Sequence, residues 1–294
     1  MEEEQLQKYV EAGKIAKKVV DYARGFIKKD MLLIDIANKI DEKIFELGAE
    51  PAFPVNLSIN EIAAHYTPGT SDETKAEGLL KVDIGVDIEG FIADTAFSLD
   101  LTEDGRFKEM IKENERILEV ALSELKIGSK VSVIGKAITK ELENSEYRVI
   151  KNLSGHSLDE YEVHAGLTIS NYENENSFEL KDIAIAIEPF LTKGKGEIYE
   201  GKLSEIYVLQ KEGRPRDRES RAVLEFIQEN FSTKPFCKRW LEEEKFHMLN
   251  FALRTLVKEG ILHNFPVLIE ESKQPVSQAE HTVIFKDKIY ITTK

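Results

Sequence analysis

Residues 79 to 97 read Leu-Leu-Lys-Val-Asp-Ile-Gly-Val-Asp-Ile-Glu-Gly-Phe-Ile-Ala-Asp-Thr-Ala-Phe, and no other stretch restricts the fold as tightly. Val82, Ile84, Val86 and Ile88 alternate with Lys81, Asp83, Gly85 and Asp87; Phe91, Ala93, Thr95 and Phe97 alternate with Ile92, Asp94 and Ala96. Each run has the period of a strand. Glu89-Gly90 between them predicts a two-residue turn, with glycine supplying a positive φ. The pairing 88 with 91 then sets the ladder 87–92, 86–93, 85–94, 84–95 and 83–96. One face is apolar throughout. On the other, Asp94 lies opposite Gly85 and one diagonal step from Asp83, roughly 7–8 Å between backbones, so two carboxylates converge. Such a pair either faces solvent or holds a cation, because buried like charges repel and are poorly solvated. Asp87, near the tip, is expected to be wet.

The 294 residues suffice for one large domain or two smaller ones. A net charge of −14 argues against a nucleic-acid surface, which needs a basic stripe. Cys237 is the single cysteine, which excludes an internal disulfide and a cysteine-rich zinc site. The opening Met-Glu-Glu-Glu-Gln-Leu has no basic, apolar leader character, and no run of about 18 apolar residues follows, so a cytoplasmic setting is expected. Residues 4–24 and 33–47 read as amphipathic helices, as do Phe107 to Leu125 and Val131 to Leu142. The stripe Ile36, Ile40, Ile44 matches Ile134, Ile138, Leu142 at an offset of 98, a faint duplication of two helices followed by strand-like sequence.

Residues 51 to 69, with two prolines, two asparagines and a closing Pro-Gly, read as mostly irregular, and place His65 beside Tyr66 as a packed or a binding residue. His156 and His164 stand eight apart in a loop-like stretch, which is not a zinc motif; Gly155 and Ala165-Gly166 keep their surroundings small. In Lys181-Asp-Ile-Ala-Ile-Ala-Ile-Glu-Pro-Phe, the isoleucines point one way and Ala184, Ala186 and Glu188 the other, with Pro189 ending the ladder. A carboxylate on a small-residue face of a buried strand needs a counter-charge. Glu280 repeats that pattern in a predicted strand Ser277 to Phe285, with Gln278 and Thr282 on its side and His281 opposite.

Phe53-Pro54, the run from Ser58 to Pro68 that contains Ala-Ala-His65-Tyr-Thr-Pro, Lys81-Val-Asp-Ile-Gly, Ile92-Ala-Asp-Thr-Ala, Leu153-Ser-Gly-His, Val163-His-Ala-Gly, Ile187-Glu-Pro-Phe and Glu280-His-Thr together resemble the methionine aminopeptidases, and among them the type II branch of archaea and eukaryotes. The resemblance spans nearly the whole chain. It implies an α+β pita-bread fold, a curved antiparallel sheet with outer helix pairs in two pseudo-symmetric halves. Residues 1–210 and 273–294 would form the catalytic domain. The charged, helix-forming segments in 211–272 resemble the helical insertion of type II enzymes, which would wall one side of the pocket.

The resemblance also implies the site. Asp83, Asp94, His156, Glu188 and Glu280 match the family's five metal ligands. Four carboxylates and one imidazole suit two divalent cations, with Co, Mn, Fe and Zn all tolerating such a set. Glu188 would also take the proton of the attacking water, and His65 and His164 would touch the scissile carbonyl or amide. Phe53, Val163 and Phe265 would line the pocket for the methionine side chain. The implied activity is removal of the initiator methionine from nascent chains and peptides, preferably before a small residue, by a monomer that binds neither nucleic acid nor membrane. An Xaa-Pro aminopeptidase and a non-enzymatic relative with the same fold are the alternatives.

Overall fold

The computed structural model describes residues 1–294. Helix α1 (Glu3–Phe26) buries Ile15, Ala16 and Val19, and α2 (Leu33–Glu46) buries Ile36, Ile40 and Ile44. Both faces close on the apolar side of the hairpin predicted from residues 79–97, where Val82, Ile84, Val86, Ala93 and Phe97 complete one core. Strands β1 (Glu50–Pro51), β2 (Asn56–Ile59) and β3 (Ile62–Ala64) precede the hairpin strands β4 (Leu79–Ile88) and β5 (Phe91–Asp100). The ladder has the predicted register, Gly85 opposite Asp94 and Asp83 opposite Ala96. Its turn takes left-handed backbone at both Glu89 (φ 50°) and Gly90 (φ 89°). Segment 51–69 is more regular than its prolines suggest. Leu57 and Ser58 pair with Val82 and Lys81 on the free edge of β4, and Asn60 (φ 51°) turns the chain back.

The second half repeats the plan. α3 (Lys108–Ser123) and α4 (Ser132–Leu142) bury Ile117, Leu118, Ile134 and Ile138 against a separate core that includes Ile185, Ile187 and Val283. Then come β6 (Arg148–Val149), β7 (Ser154–Leu158), β8 (Thr168–Ser170), β9 (Ile183–Ile187) and β10 (Phe190–Thr192). His156 therefore stands on a strand and not on a loop. Ser-Gly-His-Ser-Leu lacks apolar alternation, and its extended form comes from pairing on both sides, His156 opposite Ala186 of β9 and Thr168 of β8.

After β11 (Ile198–Leu209) the chain forms α5 (Arg218–Asn230), β12 (Phe236–Cys237), α6 (Lys238–Glu243) and α7 (Leu249–Lys258) around their own core of Val223, Leu224, Ile227, Leu253 and Leu256. Between α6 and α7 the helix-forming sequence is broken at Met248, whose φ is 56°. Segment 211–272 is helical only as far as Lys258, because β13 (Leu262–Glu270) pairs with β11 and β3. Buried polar anchors fasten these helices to the first half. Arg239, 2% exposed, meets the Asp41 carboxylate at 2.8 Å and donates to the Pro68 carbonyl at 2.9 Å, and Trp240 donates to the same Asp41 oxygen at 2.9 Å. Asp87 is not wet. It is 3% exposed and pairs with Lys234, because the link between α5 and β12 folds over the hairpin tip.

The chain closes with β14 (Val276–Gln278), β15 (His281–Phe285) and β16 (Ile289–Ile291). The single strand expected across Ser277 to Phe285 is interrupted at Ala279-Glu280. All strand pairs are antiparallel, in four sheets: β4 with β1, β2 and β5; β14-β10-β6; β12-β11-β13-β3; and β16-β15-β9-β7-β8. Two neighbouring strands change sheet at the same level. β9 gives way to β10 at Glu188-Pro189, and β14 to β15 at Ala279-Glu280, with Ile187 opposite His281 and Phe190 opposite Gln278. The two glutamates occupy this step.

Candidate active site

A cavity of about 330 Å³ opens between the halves. All ten residues singled out in the sequence line it: the donors Asp83, Asp94, His156, Glu188 and Glu280, and around them Phe53, His65, Val163, His164 and Phe265. Asp94, His156 and Glu280 are buried and each offers a ligand atom within 4.8 Å of the others. His156 Nε2 lies 3.6 Å from Asp94 Oδ2 and 3.5 Å from Glu188 Oε1, so the second half delivers its imidazole to acids from both halves.

Hydroxyl groups lock β5 to the C-terminal strands at this point. Thr282 Oγ1 donates to the Asp94 carbonyl (2.7 Å) and receives the Asp94 N–H (2.8 Å). Thr95 Oγ1 donates to the Glu280 carbonyl (2.9 Å), and the Glu280 N–H bonds the Ala96 carbonyl (3.0 Å). These bonds bring together acids that lie far apart in the chain. Gln278 adds a contact that pattern reading assigned no role. Its amide donates to Asp83 Oδ2 (3.1 Å) and Glu188 Oε2 (3.4 Å), tying two acids. Asn171 donates to the Glu188 carbonyl at 3.0 Å. Gln278 had one available signal, its place two residues before Glu280 on the same side of a strand; Asn171 had none.

The electrostatics are those of a cage built for positive charge. Burial raises all four carboxyl groups above their ordinary range, Asp83 to about 7, and repulsion from neighbouring acids adds to burial for Asp94, Glu188 and Glu280. None of the four pairs with lysine or arginine in an ion pair. Asp83 Oδ1, Asp94 Oδ1 and Glu280 Oε2 are buried without any hydrogen-bond donor, an expensive arrangement that a bound cation satisfies. Burial, then the adjacent His164, hold His156 down to about 3, so its imidazole is neutral at pH 7, the form that binds metal.

His65 sits in left-handed backbone (φ 63°), a conformation that costs a non-glycine residue about 1–3 kcal/mol, and that aims its ring into the cavity. Burial, then His164, push its pKa down to about 4. Its Nδ1 faces the Pro266 carbonyl at 3.3 Å. A carbonyl only accepts, so the neutral ring carries its proton on Nδ1 and keeps the Nε2 lone pair free. Phe265 packs edge-on to both His65 (5.2 Å) and His263 (4.8 Å), and His164 stands edge-on to His156 at 4.3 Å. Phe53 lies over Gly85, where a Cβ would come within 2.3 Å of its ring; glycine opposite Asp94 is what lets the ring reach the site.

Comparison with known proteins adds three findings. The sequence model of metallopeptidase family M24 matches residues 7–216. A methionine aminopeptidase of Pyrococcus abyssi is 42% identical over 297 residues, covering 98% of this chain and 99% of the relative. Among solved structures, a thermophilic Arx1 aligns with a TM-score of 0.86 at 17% identity over 99% of this chain and 91% of its own, and a methionine aminopeptidase of Thermotoga maritima with 0.71 at 20% identity over 100% and 98%. At such identities the two structures speak to the fold alone.

Proposed function

The chain belongs to metallopeptidase family M24 and has the pita-bread fold, and from that premise we propose that it removes the N-terminal methionine of nascent chains and peptides, favouring a small second residue. The observation that carries the reading is the buried acid and imidazole cluster, with its donorless oxygens, at one end of a cavity walled by aromatic residues and by His65 and His164, whose pKa values burial lowers. Asp94, His156 and Glu280 would hold a divalent cation between them, and with Asp83 and Glu188 the donor set suits two, drawn from Co, Mn, Fe or Zn. When bound, such ions supply an acidified water and a Lewis acid.

The remaining steps belong to the protein. Glu188, anchored through its carbonyl by Asn171 and through its carboxylate by Gln278, takes the proton of the attacking water and passes it to the leaving amine. His65, with its proton committed to Pro266, presents Nε2 to accept the N–H of the peptide. His164 donates to the carbonyl oxygen as it gains charge. Phe53, Val163 and Phe265 receive the methionine side chain. The free α-amino group would sit at the cation site that these acids form, which restricts cleavage to chain termini.

The test is cleavage of Met-Ala-Ser by chelator-stripped protein with and without added divalent metal, alongside Met-Leu-Ser. Turnover is expected only with metal, and the leucine peptide is expected to be the poorer substrate. Full turnover after stripping would overturn the metal role; equal rates for the two peptides would overturn the second-residue preference.

A further inference from the structure

At the tip of the β4–β5 hairpin, outside the acid cluster, several chain segments converge on one ammonium group. Lys234 is 4% exposed; its Nζ pairs with the buried Asp87 and lies 3.2 Å from Glu50 Oε2. The Tyr161 ring centroid is 5.9 Å from the same nitrogen, and Thr233 donates its hydroxyl to the Tyr161 carbonyl at 2.7 Å. The other Asp87 oxygen accepts the Gly90 N–H at 2.5 Å. Each segment carries a wall of the cavity a few residues onward: Glu50 leads to Phe53, Tyr161 to Val163, and Lys234 to Pro235. Backbone bonds hold the first two to the hairpin, Glu50 in register with Asp87 and the Tyr161 N–H on the Gly90 carbonyl at 2.8 Å. The 233–235 link is held there by the side chains of Thr233 and Lys234.

Resting on the aminopeptidase reading, we propose that Lys234 is a positioning residue that sets selectivity for the first side chain of the substrate. Its pairing with Asp87 fixes Pro235 in the cavity wall that Phe53 and Val163 also line, and so fixes the width of the pocket that receives methionine. A buried ion pair is a weak source of net stability, since desolvation offsets the attraction, but it defines where its partners must meet. The link between α5 and β12 crosses from the inserted helices to the catalytic half, and here its placement follows from that one meeting point.

The decisive variant is the double substitution Asp87→Asn with Lys234→Met, which removes both charges and leaves an amide oxygen to accept the Gly90 N–H. Relative to the unaltered protein, it is expected to raise KM for Met-Ala-Ser about tenfold with kcat changed less than about twofold, and to lower the kcat/KM preference for Met-Ala-Ser over Leu-Ala-Ser about tenfold. Lys234→Met alone leaves an unpaired buried carboxylate and is expected to lower the melting temperature as well. Glu50→Gln, at a side chain 65% exposed, is expected to leave KM unchanged. Calorimetric affinities for L-methionine against L-leucine read the same pocket without turnover, and the double variant is expected to lose the preference. A double variant with unaltered KM and preference overturns the proposal, as does one whose kcat and affinity fall together with its melting temperature. Unaltered protein that fails to cleave Met-Ala-Ser with metal overturns the aminopeptidase reading instead, and the calorimetric comparison then decides whether Lys234 shapes a methionine pocket.

Discussion

In the proposed mechanism Glu188 is both a member of the acid cluster and the group that moves a proton, with Gln278 and Asn171 holding its two ends. Glu188→Gln keeps the shape and removes the proposed base, so kcat for Met-Ala-Ser is expected to fall by about 10²–10⁴ in a steady-state assay, and retention of more than a tenth of the activity would place the base elsewhere. At this scale much was legible in the sequence. An aspartate or glutamate within a run of isoleucine and alanine is anomalous, and Asp94, Glu188 and Glu280 stood out for that reason alone. Histidines carried less information, since His65, His156 and His164 gain their meaning from neighbours that are remote in the chain. Asp87 was misread because its neighbourhood is completed by Lys234, which lies 147 residues away. Nothing local distinguishes a carboxylate that faces water from one covered by a distant link.

Among elements, legibility followed self-sufficiency. The four long helices of the two halves and strands β4, β5 and β9 carry their own apolar period, and the hairpin ladder came out residue for residue. β7 and β13 do not. β13 contains Pro266, which argues against an inner strand, and the structure accommodates it with register shifts on both sides of the Leu203–Pro266 pair. Helices α5, α6 and α7 have a core of their own yet are fastened to the first half by buried polar anchors. Burial raises the Asp41 carboxyl above its ordinary range, with Arg239 opposing that rise. Arg239→Met strands this carboxyl in the interior and is expected to cost about 3–5 kcal/mol in urea unfolding, whereas a loss under 1 kcal/mol would mean that apolar packing alone seats the helices.

For the whole molecule, the acid cluster links stability to pH and to metal. The folded state raises the Asp83 pKa from 3.8 to about 7, so this group favours folding while protonated, and that contribution is lost as pH rises through about 7. His65, lowered from 6.5 to about 4, acts oppositely: its contribution is present above 6.5 and disappears as pH falls toward 4. Calorimetry on the chelated protein is therefore expected to show a melting temperature that declines on both flanks. The gain on adding divalent metal is expected to grow between pH 5 and 8, and a gain independent of pH would contradict the cage described above. No helix is long and apolar enough to cross a membrane, so the molecule offers no helical span to explain its buried charges.

The clip between β5 and the C-terminal strands has a consequence for how the molecule comes into being. Thr95 and Ala96 leave the ribosome well before Glu280, so half of the fastening exists early and waits for its partner. A polypeptide interrupted between Phe265 and Glu280 retains the aromatic walls but lacks one acid of the cluster. On the proposed mechanism such a polypeptide is expected to be dormant until Glu280 has been made.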